Sequence, residues 1–464
     1  MDRDTTSWPG LTGLTGVLVA AAIGVYLLVI VGAGTALLDG AAACPTWPLC
    51  AGDVLVGAGL AVAAAHRLVA VLVFGLLLAA VLLARRRSVD ARVGRAVGIA
   101  VALYPGQVVL GALVATTGAP TLLSGLHLVV AMSIFSAVLV ALLWNLEAMV
   151  PGENETVLGG LAPPEAGPDP EPVPPAGAVG RVKAYVTLTK PKLWWLLCLV
   201  ALAAMGLAGG RTLDPVLVAG TLVGGVLAIA ASGTFNNVLE RDRDERMART
   251  ADRPLVRERI PTRRAVAFGV FLTIVSVATF LSVVNVLAAI LGLLAILFYS
   301  VLYTLVLKPH TTQNVVLGGA VGAFPALIGW AAVERTVGLP ALVLGAVIFL
   351  WTPAHFYNLA LAYKEDYARA GFPMLPVVRG NAVTRRHITL YLGATLLGTV
   401  ALGTATRLGW VYAGTTVTFG AVFLWAVVRL HRERTESAAF RTFHASNLYL
   451  GTLLVAVLVD TLVI

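Results

Sequence analysis

Charge is scarce in this chain. Only 12% of its 464 residues are Asp, Glu, Lys or Arg, while 58% are hydrophobic, more apolar material than a water-soluble protein of this length can bury. A soluble globular enzyme is therefore excluded, and lipid is the expected solvent. Cysteine is scarce as well: three residues cannot build the disulfide framework of a small secreted domain. Cys198 falls inside an apolar run, where a buried thiol is expected, whereas Cys44 and Cys50 stand close together in a loop. The polar start lacks a basic n-region and a small-residue cleavage site, and the first apolar run outlasts a signal-peptide core, so it reads as a retained helix. The formal net charge of +9 could point to nucleic acid, but the bases sit in loops between apolar runs rather than on one soluble face. Nucleic acid is not an expected partner.

What the chain does have is a succession of apolar runs of about 18 to 25 residues, each long enough to cross a hydrocarbon core. Thirteen are recognisable, which predicts an all-α polytopic membrane protein. Four lie within residues 1–150, and nine within residues 181–464. Between them, residues 151–180 are crowded with Pro, Gly and Glu, a composition that reads as an extended linker. Arg85, Arg86, Arg87, Arg92 and Arg95 all lie between the second and third spans, which places that loop in the cytoplasm. Counting alternately from it puts every Arg-rich loop inside, leaving only Arg211, Arg335 and Arg407 in the opposite loops. The expected arrangement is a multi-pass protein of the cell membrane with its N-terminus cytoplasmic and its C-terminus external.

The loop after span 6 combines both charge signs. Asn236, Glu240 and Asp244 are four residues apart, so on a helix they share a face, whereas Asp242 points elsewhere. Oxygen ligands in that register suit Mg²⁺, which is commonly shared between one or two carboxylates and substrate phosphates. Arg241, Arg243, Arg246, Arg249 and Arg253 beside them could neutralise phosphate oxygens. A solvated basic loop obeying the positive-inside rule is the alternative, but topology asks for bases and not for aligned acids.

Around this loop the chain resembles the protohaem IX farnesyltransferases (haem O synthases) of the UbiA-type intramembrane prenyltransferase superfamily. The resemblance rests on the acidic series and on Met247, Arg249, Thr250, Arg253 and Pro254, with Glu240 standing where the family has its first aspartate. It continues through residues 303–333 and 349–380. It implies a nine-helix prenyltransferase bundle. It also implies Mg²⁺ held by Asn236, Glu240, Asp244, Asp366 and Glu365, of which all but Glu365 count as catalytic, and diphosphate bound by Arg249, Arg253, Lys308, Lys364 and Lys190. The implied substrates are farnesyl diphosphate and haem B, joined at a haem vinyl group to give haem O. Gly318, Gly319, Gly322 and Gly329 offer either close helix approach or room for a ligand, and His355 is either a haem contact or a histidine hydrogen-bonded to a neighbour.

Residues 32–52, with Cys44 and Cys50, resemble haem A synthase, of which the first 150 residues would be one four-helix half. That resemblance implies a disulfide between Cys44 and Cys50, and haem B held by His66 and His127 near one external boundary. Haem A synthase or oxidase assembly proteins are expected partners beside the bilayer. Two other readings stay open: a UbiA-type enzyme with a quinone-precursor or glycerol ether lipid acceptor, and a non-enzymatic membrane haem carrier.

Overall fold

The structure is a computed structural model describing residues 13–37, 46–48, 58–87, 89–149 and 177–463. Cys44, Cys50 and most of the expected linker lie outside the described residues, but residues 177–180 do not: they open a helix, Gly177–Leu188, ahead of the second set of spans. Among the described residues thirteen helices are long and apolar enough to cross a membrane. The backbone contacts divide the chain into two compact units, Met1–Gly152 and Glu153–Ile464.

The first unit holds span 1 (Leu14–Thr35), span 2 (Gly59–Arg86), span 3 (Ala91–Thr116) and span 4 (Thr121–Ala148). Span 1 packs on spans 2 and 4, and span 3 on spans 2 and 4. Its interior is apolar, with Leu18, Leu77, Phe135 and Leu142 fully buried. Asn145 and Thr15 pair across it at 2.9 Å, since polar groups away from water need each other.

The second unit holds spans 5 to 13: Pro191–Thr212, Pro215–Leu239, Thr262–Val284, Val286–His310, Asn314–Glu334, Leu339–Ala362, Leu375–Thr406, Trp410–Glu433 and Glu436–Leu462. Span starts are marked by local chemistry. Asp214 caps span 6, accepting from the Val216 amide at 3.0 Å with Pro215 at the first helical position, and Asn285 caps span 8 by accepting from the Ala288 amide. Span 9 packs on spans 5 and 10, and span 10 also contacts spans 11 and 13.

The glycines of span 9 serve close approach. A Cβ at Gly318 would meet the Tyr303 ring at 2.5 Å, one at Gly322 would meet Ile348 at 2.9 Å, and one at Gly329 would lie 2.2 Å from the Ala201 carbonyl oxygen. Spans 5 and 9 thus touch backbone to backbone. Gly329→Val should destabilise the second unit by about 1–3 kcal/mol or more, through overpacking against a carbonyl that cannot move aside, and thermal unfolding in detergent measures it.

Candidate active site

Span 8 departs from α-helical geometry where the charged loops gather. Residues Phe298–Leu307 form a π-helix, and the Thr304 hydroxyl donates to the Tyr299 carbonyl, five residues back, at 2.8 Å. Such turns widen a helix and cluster at functional sites. Here Thr304 meets span 6: the Asn236 amide nitrogen donates to Thr304 Oγ1 at 3.0 Å. Lys308, at the end of the same span, donates from Nζ to Glu240 Oε1 at 2.6 Å.

Asn236, Glu240 and Asp244 are all buried. The helical register continues through them, since the Glu240 amide donates to the Asn236 carbonyl and the Asp244 amide to the Glu240 carbonyl. Asp242 is exposed. Each of the three meets a cation. Lys190 donates to Asn236 Oδ1, Lys308 pairs with Glu240, and Arg253 pairs with Asp244 Oδ2 at 2.5 Å. Asp244 Oδ1 is buried and has no hydrogen-bond partner among the described residues, an acceptor left available for a ligand.

Lys190 is placed by the chain reversal before span 5. Its backbone is left-handed, φ 52°, a conformation that costs a residue with a Cβ about 1 kcal/mol or more. The reversal lies on span 6, where Asn237 Nδ2 donates to the Leu188 carbonyl at 3.1 Å and a Cβ on Gly233 would come within 3.1 Å of that oxygen. Lys190 Nζ then reaches Tyr299 Oη at 3.3 Å as well as Asn236.

These groups set one another's protonation. Burial, then the neighbouring Arg253, pushes the Lys190 ammonium down to about 7. Burial would raise the Glu240 carboxyl, but Lys308, Lys190 and Arg253 outweigh it and hold the group below the usual carboxylate range. For Asp244 burial prevails over Arg253 and the shift is upward.

An apolar cavity of about 740 Å³, open mouth included, runs between spans 5, 6, 8 and 9. Leu197, Cys198, Gly225, Phe324 and Ile328 line it, and Lys190 and Tyr299 belong both to its wall and to the charged cluster. Cys198, expected as a buried thiol, is half-buried on this wall.

The remaining predicted residues are distributed differently. Asp366 is buried but turned to backbone, accepting from the Ala248 and Arg249 amides at 3.1 and 3.3 Å and pairing with Arg369. Glu365 is exposed, 4.0 Å from Arg369. Among the described residues no group of three or more His, Cys, Asp or Glu side chains is placed to hold a metal ion together. The Arg249 guanidinium lies over the rings of Tyr363 and Tyr367 at 4.8 and 4.9 Å, and Lys364 opens the short helix Lys364–Arg369. His355 is stacked between Trp351 and Phe443, with Nδ1 2.7 Å from Ser446 Oγ. That is the hydrogen-bonding alternative, with a side-chain hydroxyl rather than a backbone as partner.

Tyr299 and Thr304 were not singled out in the sequence. Their separation of five residues, the π repeat, has no signature in an apolar run. Asn314 was likewise missed; it is fully buried, with Nδ2 on the Lys308 carbonyl at 3.2 Å.

The UbiA prenyltransferase family model matches residues 197–451, which covers most of this bundle. A protohaem IX farnesyltransferase of Haloarcula marismortui is 57% identical over 97% of this chain and 98% of its own length. The chain belongs to the UbiA prenyltransferase family. It is an enzyme of the protohaem IX farnesyltransferase kind, a multi-pass membrane protein with a prenyltransferase bundle. A second such relative, from Saccharopolyspora erythraea, is 45% identical, with the match covering 65% of this chain and 97% of the relative. A chain of that length has no room for both units. Among solved structures, digeranylgeranylglyceryl phosphate synthase matches with TM-score 0.52 at 16% identity, over 61% of this chain and 99% of that one. This likeness bears on the fold alone and does not choose an acceptor.

Removing Lys308 should leave Glu240 buried without its cation. Lys308→Met is expected to cost about 3 kcal/mol, and the added change Glu240→Gln should restore part of it. Thermal unfolding of the single and double variants reads both effects.

Proposed function

We infer that this chain transfers the farnesyl group of farnesyl diphosphate to a vinyl group of protohaem IX, haem B, to make haem O. The observation that carries the reading is the shared boundary of the cavity and the charged cluster. A prenyl diphosphate is an apolar tail joined to a polyanion, and Lys190 and Tyr299 stand where such a molecule would change character. The sequence identity to named farnesyltransferases favours this acceptor over a quinone precursor or an ether lipid.

Asn236, Glu240 and Asp244 would hold Mg²⁺, and the unpartnered Asp244 Oδ1 fits that role. When bound, the ion supplies charge neutralisation for the departing diphosphate. Lys190, Lys308 and Arg253 already face these acids and can turn to phosphate oxygens, with Arg249 nearby in the same loop. The cavity holds the tail and keeps water from the allylic cation that ionisation leaves. The loops that share this end of the second unit carry the Arg-rich segments, so the site faces the cytoplasm with the N-terminus on the same side.

The first unit supports a second binding reading. His66 and His127 are on spans 2 and 4, each against a glycine: a Cβ on Gly32 would lie 3.2 Å from the His66 ring, and one on Gly111 3.0 Å from the His127 ring. Among the described residues both imidazoles have a buried Nδ1 with no hydrogen-bond partner, as has Gln107 Oε1. Such nitrogens fit the axial positions of a haem. Association with haem A synthase or oxidase assembly proteins would follow from haem traffic through this unit.

The deciding experiment is the mass of the haem extracted from cells that lack their own haem O synthase and express this chain. Haem O is expected, and recovery of haem B alone sinks the proposal. Asn236→Ala or Asp244→Ala should lower transfer by about a hundredfold or more while membrane insertion stays normal. For the first unit, the purified chain should show a bis-imidazole haem spectrum that His66→Ala and His127→Ala each remove. An unchanged spectrum in both variants would refute that binding reading.

A further inference from the structure

Two neighbouring glycines in span 6 serve different ends. Gly224 faces span 7, where a Cβ would meet the Phe280 ring at 2.9 Å and where the Ser276 hydroxyl donates to the Gly224 carbonyl at 2.8 Å. That glycine is there for packing. A Cβ on Gly225 would meet nothing within 4 Å among the described residues, and Gly225 lines the apolar cavity. Thr221, Leu222, Ala228 and Ile229, three and four residues to either side of it, line the cavity too. Residues at that spacing share a helix face, so a side chain at position 225 would project from the middle of this wall into open space.

The cavity is bounded in depth. At the rim Lys190 and Tyr299 join it to the charged cluster, and at the other end its wall is Ala201 and Ile328. There spans 5 and 9 meet backbone to backbone, since a Cβ on Gly329 would lie 2.2 Å from the Ala201 carbonyl oxygen. Ile328 is buried in a core cluster with Phe280 and Ala331, which closes the space behind it. The helical rise from Lys190 to Ala201 on one wall, and from Gly233 to Thr221 on another, is about 16 to 18 Å. From ordinary carbon–carbon bond lengths, an extended farnesyl chain is about 14 Å long and an extended geranylgeranyl chain about 19 Å. Three isoprene units fit this depth and four do not. Gly225 stands about 12 Å below Gly233, the level that the third unit of an extended tail reaches.

We propose that Gly225 is the residue that sets the length of prenyl tail this enzyme accepts. Lacking a side chain, it leaves the room that a third isoprene unit needs, above a floor at Ala201 and Ile328 that turns away a fourth. The inference rests on reading the cavity as the place of the tail, and it adds the part of the wall that measures it.

The test uses the full-length purified chain with haem B, Mg²⁺ and, in turn, geranyl, farnesyl and geranylgeranyl diphosphate. Absence of turnover with all three would remove the reading of the site itself. Given turnover, kcat/KM of the unaltered protein should be higher for farnesyl than for geranylgeranyl by about tenfold or more, and equal values would overturn the proposal. Gly225→Leu should lower kcat/KM for farnesyl relative to geranyl by about tenfold or more, because the added side chain takes the space of the third unit. Gly225→Ala fills less of that space and should move the same ratio in the same direction by about threefold, which decides the matter if the leucine variant fails to fold. Ile328→Ala deepens the floor and should raise geranylgeranyl relative to farnesyl; an unmoved ratio there would overturn the gauge. A merely structural role for Gly225 would lower all three substrates alike, so tail ratios that stay fixed in its variants would overturn the proposal as well.

Discussion

Three polar side chains buried at the rim of a membrane bundle, each facing a cation, are the constraint around which the second unit is organised. Asn236, Glu240 and Asp244 lose their hydration in the folded chain, and Lys190, Lys308 and Arg253 return part of it. Buried ion pairs are a poor route to stability, since apolar residues of similar volume often do as well or better. Under the proposed function their physical sense would lie in exchange of partners: Lys190, Lys308 and Arg253 would turn to phosphate oxygens and the acids would hold the metal, so that no buried charge would be left alone. A site of carboxylates alone would have to repel itself until the metal came.

Two departures from regular helix bring Lys190 and Lys308 to this cluster. The π-turn of span 8 rotates Tyr299 and Thr304 toward span 6 and brings Lys308 under Glu240. The left-handed Lys190 bends the chain before span 5 so that its ammonium returns over Asn236. Two strained or widened backbone segments are tolerated here because tertiary hydrogen bonds hold them, as Asn237 does at the Leu188 carbonyl and Asn236 at Thr304.

The parts legible in the sequence are those governed by local rules. Span number follows from apolar length, and the common face of Asn236, Glu240 and Asp244 follows from a four-residue spacing that the backbone keeps. What was not legible depends on tertiary pairing. Lys308 could be named a phosphate partner from its place near a membrane boundary, but not as the counter-ion of Glu240, sixty-eight residues away. That Asp366 would accept from the Ala248 and Arg249 amides was not legible either, because an acid beside a lysine gives no sign of the amides it will receive. The span 9 glycines could have meant packing or space for a ligand, and only the position of Ala201, Tyr303 and Ile348 settles it as packing.

Buried polar atoms without a hydrogen-bond partner occur in both units among the described residues. In the second unit Glu240 and Asp244 have cations, and Asp244 Oδ1 is among the unpartnered atoms. In the first unit His66 and His127 each leave a buried ring nitrogen without a hydrogen-bond partner among the described residues, and Gln107 adds a bare carbonyl oxygen. Inside a bilayer water does not compensate such groups, and each costs on the order of 1–3 kcal/mol when left unbonded. A planar, mostly apolar ligand with a metal at its centre would satisfy nitrogen acceptors and an apolar wall together, whereas a diphosphate would do neither there. Under the proposed function the chemistry suited to one unit is thus unsuited to the other, and haem and prenyl diphosphate would not compete for one place.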